Sequence, residues 1–157
     1  MTARVFIGLG SNLGDRAENL ARARRAIGAL EGTELLGESS CEETDPVDFL
    51  AQPRFLNQVV CIGTPLSPPE LLDALLGIER SMGRTRGAPK GPRIIDLDIL
   101  LFGDIILRTD TLTIPHPRIW ERDFVVRHLV QLDRDLRDPV SARYFREGTH
   151  GTDTHHQ

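Results

Sequence analysis

The sequence predicts an α+β fold of the ferredoxin-like, split βαβ kind, a mainly antiparallel sheet covered by helices. Three observations predict it. Apolar periodicity alternates between strand-like and helix-like in the order β–α–β–β–α–β. One stretch carries a complete helix-start signature, and neither a repeat nor a linker interrupts the 157 residues. A chain of that length with 39% hydrophobic residues closes a core without disulfides or metal. Residues 1–147 are therefore read as a single domain and 148–157 as a disordered polar tail.

ARVFIGLG (Ala3 to Gly10) reads as a buried strand ending in glycines. In DRAENLARARRAIGAL, Ala17, Leu20, Ile27 and Leu30 then recur near helical spacing. GLGSNLG has Leu13 where G-x-G-x-x-G needs its third glycine, so it is a tight strand-to-helix turn and not a nucleotide fingerprint. After Gly32, TELLGESSCEET is a weak strand, DPVDFLAQPR a loop with two prolines, and FLNQVVCIGT a stronger strand rich in β-branched residues. SPPELLDALLGIERSMG has Ser67 as N-cap, Glu70 three residues on and prolines in the first turn. Its apolar stripe runs through Leu71, Leu72, Leu75, Ile78 and Met82 to a stop at Gly83. Ile94 to Phe102 is a strand, and GDIILRTDTLTIPHP a short hairpin or arm. RIWERDFVVRHLVQL is a third helix with Phe124, Val125, His128, Leu129 and Leu132 on one side. From Asp133 the chain is mostly polar.

A net charge of −4 and a pI near 5.7 argue against a surface that wraps nucleic acid or lies on acidic lipid, so any basic patch is local. MTARVFIGLG is too short an apolar run for a signal peptide and no segment is long enough to span a bilayer, which predicts a cytoplasmic protein. A monomer is expected. Cys41 and Cys61, both in apolar strand-like stretches, are read as small buried hydrophobes.

The chemistry is concentrated in KGPRIIDLDILLFGD, Lys90 to Asp104. Strand alternation sends Asp96 and Asp98 to one face and Ile95, Leu97, Ile99 and Leu101 to the other. Two carboxylates with Cα atoms ~6.5–7 Å apart repel unless a cation lies between them, and hard oxygen donors on a rigid strand suit Mg²⁺. The alternative is a pair on a solvated sheet face. Against it stands the preceding segment, where Arg80, Arg84, Arg86, Lys90 and Arg93 occur with no acidic residue among them. Guanidinium groups beside a metal-binding pair suit a polyphosphate substrate. GAPKGP could close over it as a lid, and His116, held between prolines in PHPR, could donate to a phosphate oxygen. His128, on the apolar side of a helix, is read as structural.

GPRIIDLDILLFGD resembles the signature of the 6-hydroxymethyl-7,8-dihydropterin pyrophosphokinases of folate biosynthesis. GLGSNLGDR, FLNQVV, GRTR, TIPHPR and ERDFV extend the likeness over roughly Ile7 to Leu132. The resemblance implies transfer of the terminal diphosphate of ATP to the pterin hydroxymethyl group with release of AMP, assisted by two Mg²⁺ ions. It implies Asp96 and Asp98 as metal ligands, with Asp98 also helping to deprotonate the hydroxyl. It implies catalytic and phosphate-binding roles for Arg84, Arg86, Arg93 and His116. The nucleotide would meet Glu79, Ile99, Leu112, Thr113, His116, Arg118 and Arg122, and the pterin Thr44, Asp45, Val47, Phe55, Asn57 and Phe124. Asp45 stands where many members have proline, Glu42 near a position often aromatic, and Lys90 where some carry tryptophan. Two other readings remain: a nucleotidyltransferase, which would release pyrophosphate instead, and a nucleic-acid module, which the 5% aromatic content and acidic balance disfavour.

Overall fold

The computed structural model describes residues 2–45, 53–83 and 93–149. Its elements are β1 (Ala3–Ser11), α1 (Arg16–Gly28), β2 (Glu34–Glu38), β3 (Glu42–Thr44), β4 (Phe55–Thr64), α2 (Pro68–Ser81), β5 (Asp96–Phe102), β6 (Leu107–Arg108), β7 (Thr113–Ile114) and α3 (Asp123–Leu132). The main sheet has the order β2-β4-β1-β5, with β3 pairing the other end of β4, and every pairing is antiparallel. Because β4 lies between β1 and β2, the first βαβ unit is split, as expected. The expected weak strand is two short ones, and the arm after β5 is the β6–β7 hairpin.

Helix ends follow their local signals. Gly14, with φ +74°, turns the chain out of β1, and the Asp15 side chain accepts from the Glu18 N–H to start α1. Ser67 and Glu70 form the complete capping box of α2, and Gly83, with φ +90°, ends that turn. α3 starts later than expected, at Asp123. The residues before it form i→i+3 turns, Ile119 N–H to His116 O and Glu121 N–H to Arg118 O, instead of helix.

The sheet divides the core in two. Val5, Ile7 and Leu9 of β1 and Val60 and Ile62 of β4 meet Leu20, Ala23 and Ile27 of α1 and Leu71, Leu75 and Ile78 of α2. Phe6, Val59 and Cys61, on the opposite face, meet Val125, Val126 and Leu129 of α3. Strict alternation fails in β5. Its register with β1 steps from Phe6↔Leu101 to Ile7↔Ile99, so Leu100 is an extra residue and the pleat changes phase. Leu101 therefore joins Leu100 on the α3 face, against expectation, while Phe102 turns to the α1/α2 face.

The polar stretch after Asp133 is more ordered than its composition suggests. Leu136 and Phe145 are buried against the α3 face, and packed chain reaches Thr149, past the boundary expected at 147. Residues 150–157 of the expected tail lie outside the described residues. Cys61 is buried, and that burial pushes its thiol pKa up, whereas Cys41, in the gap between β2 and β3, is exposed and does not fit the buried reading.

Candidate active site

Beyond the end of α3, the sheet face it covers is left open, and register decides which side chains meet there. Gly10 pairs with Asn57 of β4 on one side and with Asp96 of β5 on the other; Gly8 pairs with Val59 and Asp98. Asn57, Gly10 and Asp96 thus form one row across three strands, with a residue that has no side chain in the middle. These residues line a cleft of about 710 Å³, together with Phe55, Thr44 and Asp45 at one end and His116, Arg118, Glu121 and Arg122 at the other.

At the acidic end, Arg93 Nη1 donates to Asp96 Oδ2 at 2.9 Å, and Arg122 Nη1 lies 3.9 Å from Asp98 Oδ2. The Arg122 Nε is buried without a hydrogen-bond partner, a donor that an anionic ligand would satisfy. Asn12 fixes Arg93 from behind: its N–H donates to the Arg93 carbonyl (3.0 Å) and its Oδ1 accepts from the Arg93 N–H (2.7 Å). The Asn12 amide also donates to the Pro53 carbonyl. Glu79 of α2 is only 4% exposed and accepts from the Leu97 N–H at 2.8 Å. Asp96 and Asp98 are hard oxygen donors on one strand face. Among the described residues no group of three or more His, Cys, Asp or Glu is placed to hold a metal ion. This donor set fits a divalent cation such as Mg²⁺, which completes its shell with water and substrate phosphate, better than a closed protein cage.

His116 is tied to β5 by its N–H donating to the Leu100 carbonyl at 2.9 Å. Burial first, then the positive charges of Arg122 and Arg118, push its pKa down to about 4. Its ring is therefore neutral at pH 7. Its Nδ1 accepts from the Arg118 N–H, which assigns the proton to Nε2 and makes that atom a donor.

At the other end, the Asn57 amide donates to Thr44 Oγ at 2.5 Å, and its Oδ1 is turned toward Gly10. Phe55 from β4 and Phe124 from α3 both line the cleft. Asp45 is held by Arg54 at 3.1 Å. Glu42 bonds both His128 Nε2 (2.9 Å) and Arg127 (2.5 Å), tying β3 to α3 just behind Phe124, whose ring meets His128 edge-on.

The cleft therefore gathers most of the residues the sequence singles out. Ile99, Leu112 and Thr113 are not among its lining: Ile99 is buried on the α1/α2 face and Leu112 packs against the same cluster. Val47, Arg84, Arg86 and Lys90 lie outside the described residues. Sequence reasoning missed Gly8, Gly10, Leu72, Leu76 and Glu121, all of which line the cleft. The spacing of the two glycines, equal to that of the aspartates, was a usable signal; Leu72 was indistinguishable from a core position.

Comparison with known proteins agrees with this geometry. The family model described as 7,8-dihydro-6-hydroxymethylpterin-pyrophosphokinase matches residues 6–134. A mitochondrial folate synthesis bifunctional protein of Pisum sativum is 49% identical over 82% of this chain, which spans 25% of that protein's length. The 2-amino-4-hydroxy-6-hydroxymethyldihydropteridine pyrophosphokinase of Pseudomonas aeruginosa is 43% identical over 88% of this chain and 86% of its own. A crystal structure of Plasmodium falciparum HPPK-DHPS superposes with a TM-score of 0.77 at 15% identity, covering 98% of this chain and 46% of that one, and shares the fold.

Proposed function

The chain belongs to the 7,8-dihydro-6-hydroxymethylpterin-pyrophosphokinase family, and we propose that it transfers the terminal diphosphate of ATP to the hydroxymethyl group of 6-hydroxymethyl-7,8-dihydropterin. The hydroxymethyl oxygen bonds to the β-phosphorus, the bond from that phosphorus to the α,β-bridging oxygen breaks, and AMP leaves. The reaction is a step of folate biosynthesis, here in the cytoplasm and with no nucleic-acid partner. The observation that carries this reading is the register-matched row Asn57–Gly10–Asp96. It sets an amide suited to reading a heterocycle's edge beside a carboxylate suited to a metal–phosphate group.

The pterin ring lies between Phe55 and Phe124, with Asn57 reading its edge and Thr44, Asp45 and Val47 beside it. Two Mg²⁺ ions, held by Asp96 and Asp98, would neutralise the polyphosphate and the charge that develops at phosphorus. Asp98 accepts the hydroxyl proton. Arg93, Arg118, Arg122 and the His116 Nε2–H bind phosphate oxygens, as do Arg84 and Arg86. Glu79, which lines the cleft, flanks the base. Catalysis is then positioning and electrostatics, as in phosphoryl transfer generally.

The test is a nucleotide-product assay with ATP, Mg²⁺ and the dihydropterin. AMP formed only when both the pterin and Mg²⁺ are present, with a diphosphorylated pterin, is the expected result. Pyrophosphate release with AMP retained on the acceptor would instead establish nucleotidyl transfer.

A further inference from the structure

The match to the family model ends at residue 134, yet packed chain continues to Thr149, and it closes around one side chain next to the cleft. Trp120 is the only tryptophan in the sequence. It lies between Arg118 and Arg122, both of which line the cleft with His116 and Glu121, while Trp120 does not. Its indole is held from the far side: Nε1–H donates to Asp138 Oδ2 at 2.7 Å, and the ring stacks on Phe145 with centroids 4.7 Å apart. The Arg143 guanidinium lies 4.3 Å from the ring centroid, and a Cβ on Gly148 would come within 3.0 Å of the ring.

The segment that makes these contacts is itself a closed structure. Asp138 is 6% exposed; its Oδ2 also accepts from Ser141 Oγ and its Oδ1 from the Val140 N–H. The Phe145 N–H donates to the Leu136 carbonyl, Arg137 and Tyr144 form a bridge, and Phe145 is fully buried. Arg118 and Arg122, by contrast, are long side chains on a stretch of i→i+3 turns, with His116 between them and β5. Displacement of such groups by about 1 Å is enough to weaken catalysis strongly.

We propose that residues 136–148 form a clasp that sets Arg118 and Arg122 through Trp120, which makes Trp120 a positioning residue for the nucleotide. The proposal rests on reading that end of the cleft as the nucleotide side. Trp120→Phe keeps the ring for Phe145 and Arg143 and deletes the N–H donor. The expected result is a KM for ATP raised about tenfold, the scale of one lost hydrogen bond to a charged group, with the KM for the dihydropterin unchanged. Amide hydrogen exchange should quicken over residues 116–122 and stay as it was in β1 and β4. Equal shifts in both KM values, or none in either, overturn the proposal. If Trp120→Phe does not fold, Arg143→Ala, at an exposed residue, should give the same split at smaller size; no split there also overturns it. Absence of AMP from the unaltered protein refutes the catalytic reading alone. The clasp is then judged by exchange, and unchanged rates at 116–122 in the variant refute it.

Discussion

On the face covered by α1 and α2, β1 presents Val5, Ile7 and Leu9 and β4 presents Val60 and Ile62, and every one is buried. On the other face the same strands present Phe6, Val59 and Cys61 beneath α3, and then Gly8, Gly10 and Asn57 in an open cleft. The strands are shared, so the contrast comes from what covers them. Two helices cover the first face, and only where α2 meets β5 do Leu72, Leu76 and Glu79 reach the cleft. α3 is ten residues long and starts only at Asp123, so it leaves part of the second face bare. Glycines there keep the floor free of side chains, and the aspartates that would be costly in a buried layer keep their solvent. The first face therefore contributes mostly stability and the second most of the chemistry, and substitutions should separate the two.

The sharpest break is Asp98→Ala. It removes a carboxylate proposed to hold Mg²⁺ but no core volume, so AMP release should fall by about a thousandfold or more, with little change in melting temperature. Near-normal turnover would sink the metal assignment. The mirror experiment is Leu75→Ala on the first face, at a side chain that is 1% exposed. Denaturant titration should show a loss of about 3 kcal/mol, while KM for both substrates stays as before in the folded fraction. A change in either KM would mean that the faces are coupled.

Gly10→Ala sharpens the comparison, because its new Cβ would meet Asn57 Oδ1 at 3.0 Å. The amide must shift. The KM for the dihydropterin should rise about tenfold and that for ATP remain unchanged, a split that steady-state kinetics resolves. Unaltered pterin kinetics would remove Asn57 from the substrate's edge.

The smallest effect concerns pH. His116 has its pKa pushed down to about 4, from an ordinary 6.5, by burial and then by Arg122 and Arg118. As pH falls through 6.5 the unfolded chain takes up a proton that the folded chain refuses until about 4, so stability declines across that window. His128, whose pKa is lowered chiefly by burial, adds a decline of the same sign. In His116→Gln part of the decline should vanish from denaturation midpoints measured between pH 6.5 and 4. An identical slope in both proteins would mean that the ring gains its proton as easily folded as unfolded.

Much of this was legible in the residues. The capping box at Ser67 and Glu70, the turn at Gly14 and the long run of β4 are made by neighbours in sequence, and the structure has them where the pattern indicated. Asp96 and Asp98 stood out because two charges in an apolar strand need a reason. Other features had no local signal. The extra residue at Leu100 reverses the facing of Leu101 and Phe102, and nothing in ILLF marks it. The polar segment after Asp133 gave no sign of how it packs, because its two anchors, Leu136 and Phe145, are too far apart to form a pattern. Glu42 looked like a weakness near the pterin, and its partners, Arg127 and His128, are 85 and 86 residues away.

Composition, periodicity and capping specify elements because their physics acts over one turn of helix or one step of strand, and they sufficed for the split βαβ order and the acidic pair. Which side chains share the cleft depends on strand register, on a bulge and on where α3 begins. Those are settled by pairings between distant residues, whose energies no short stretch of sequence contains.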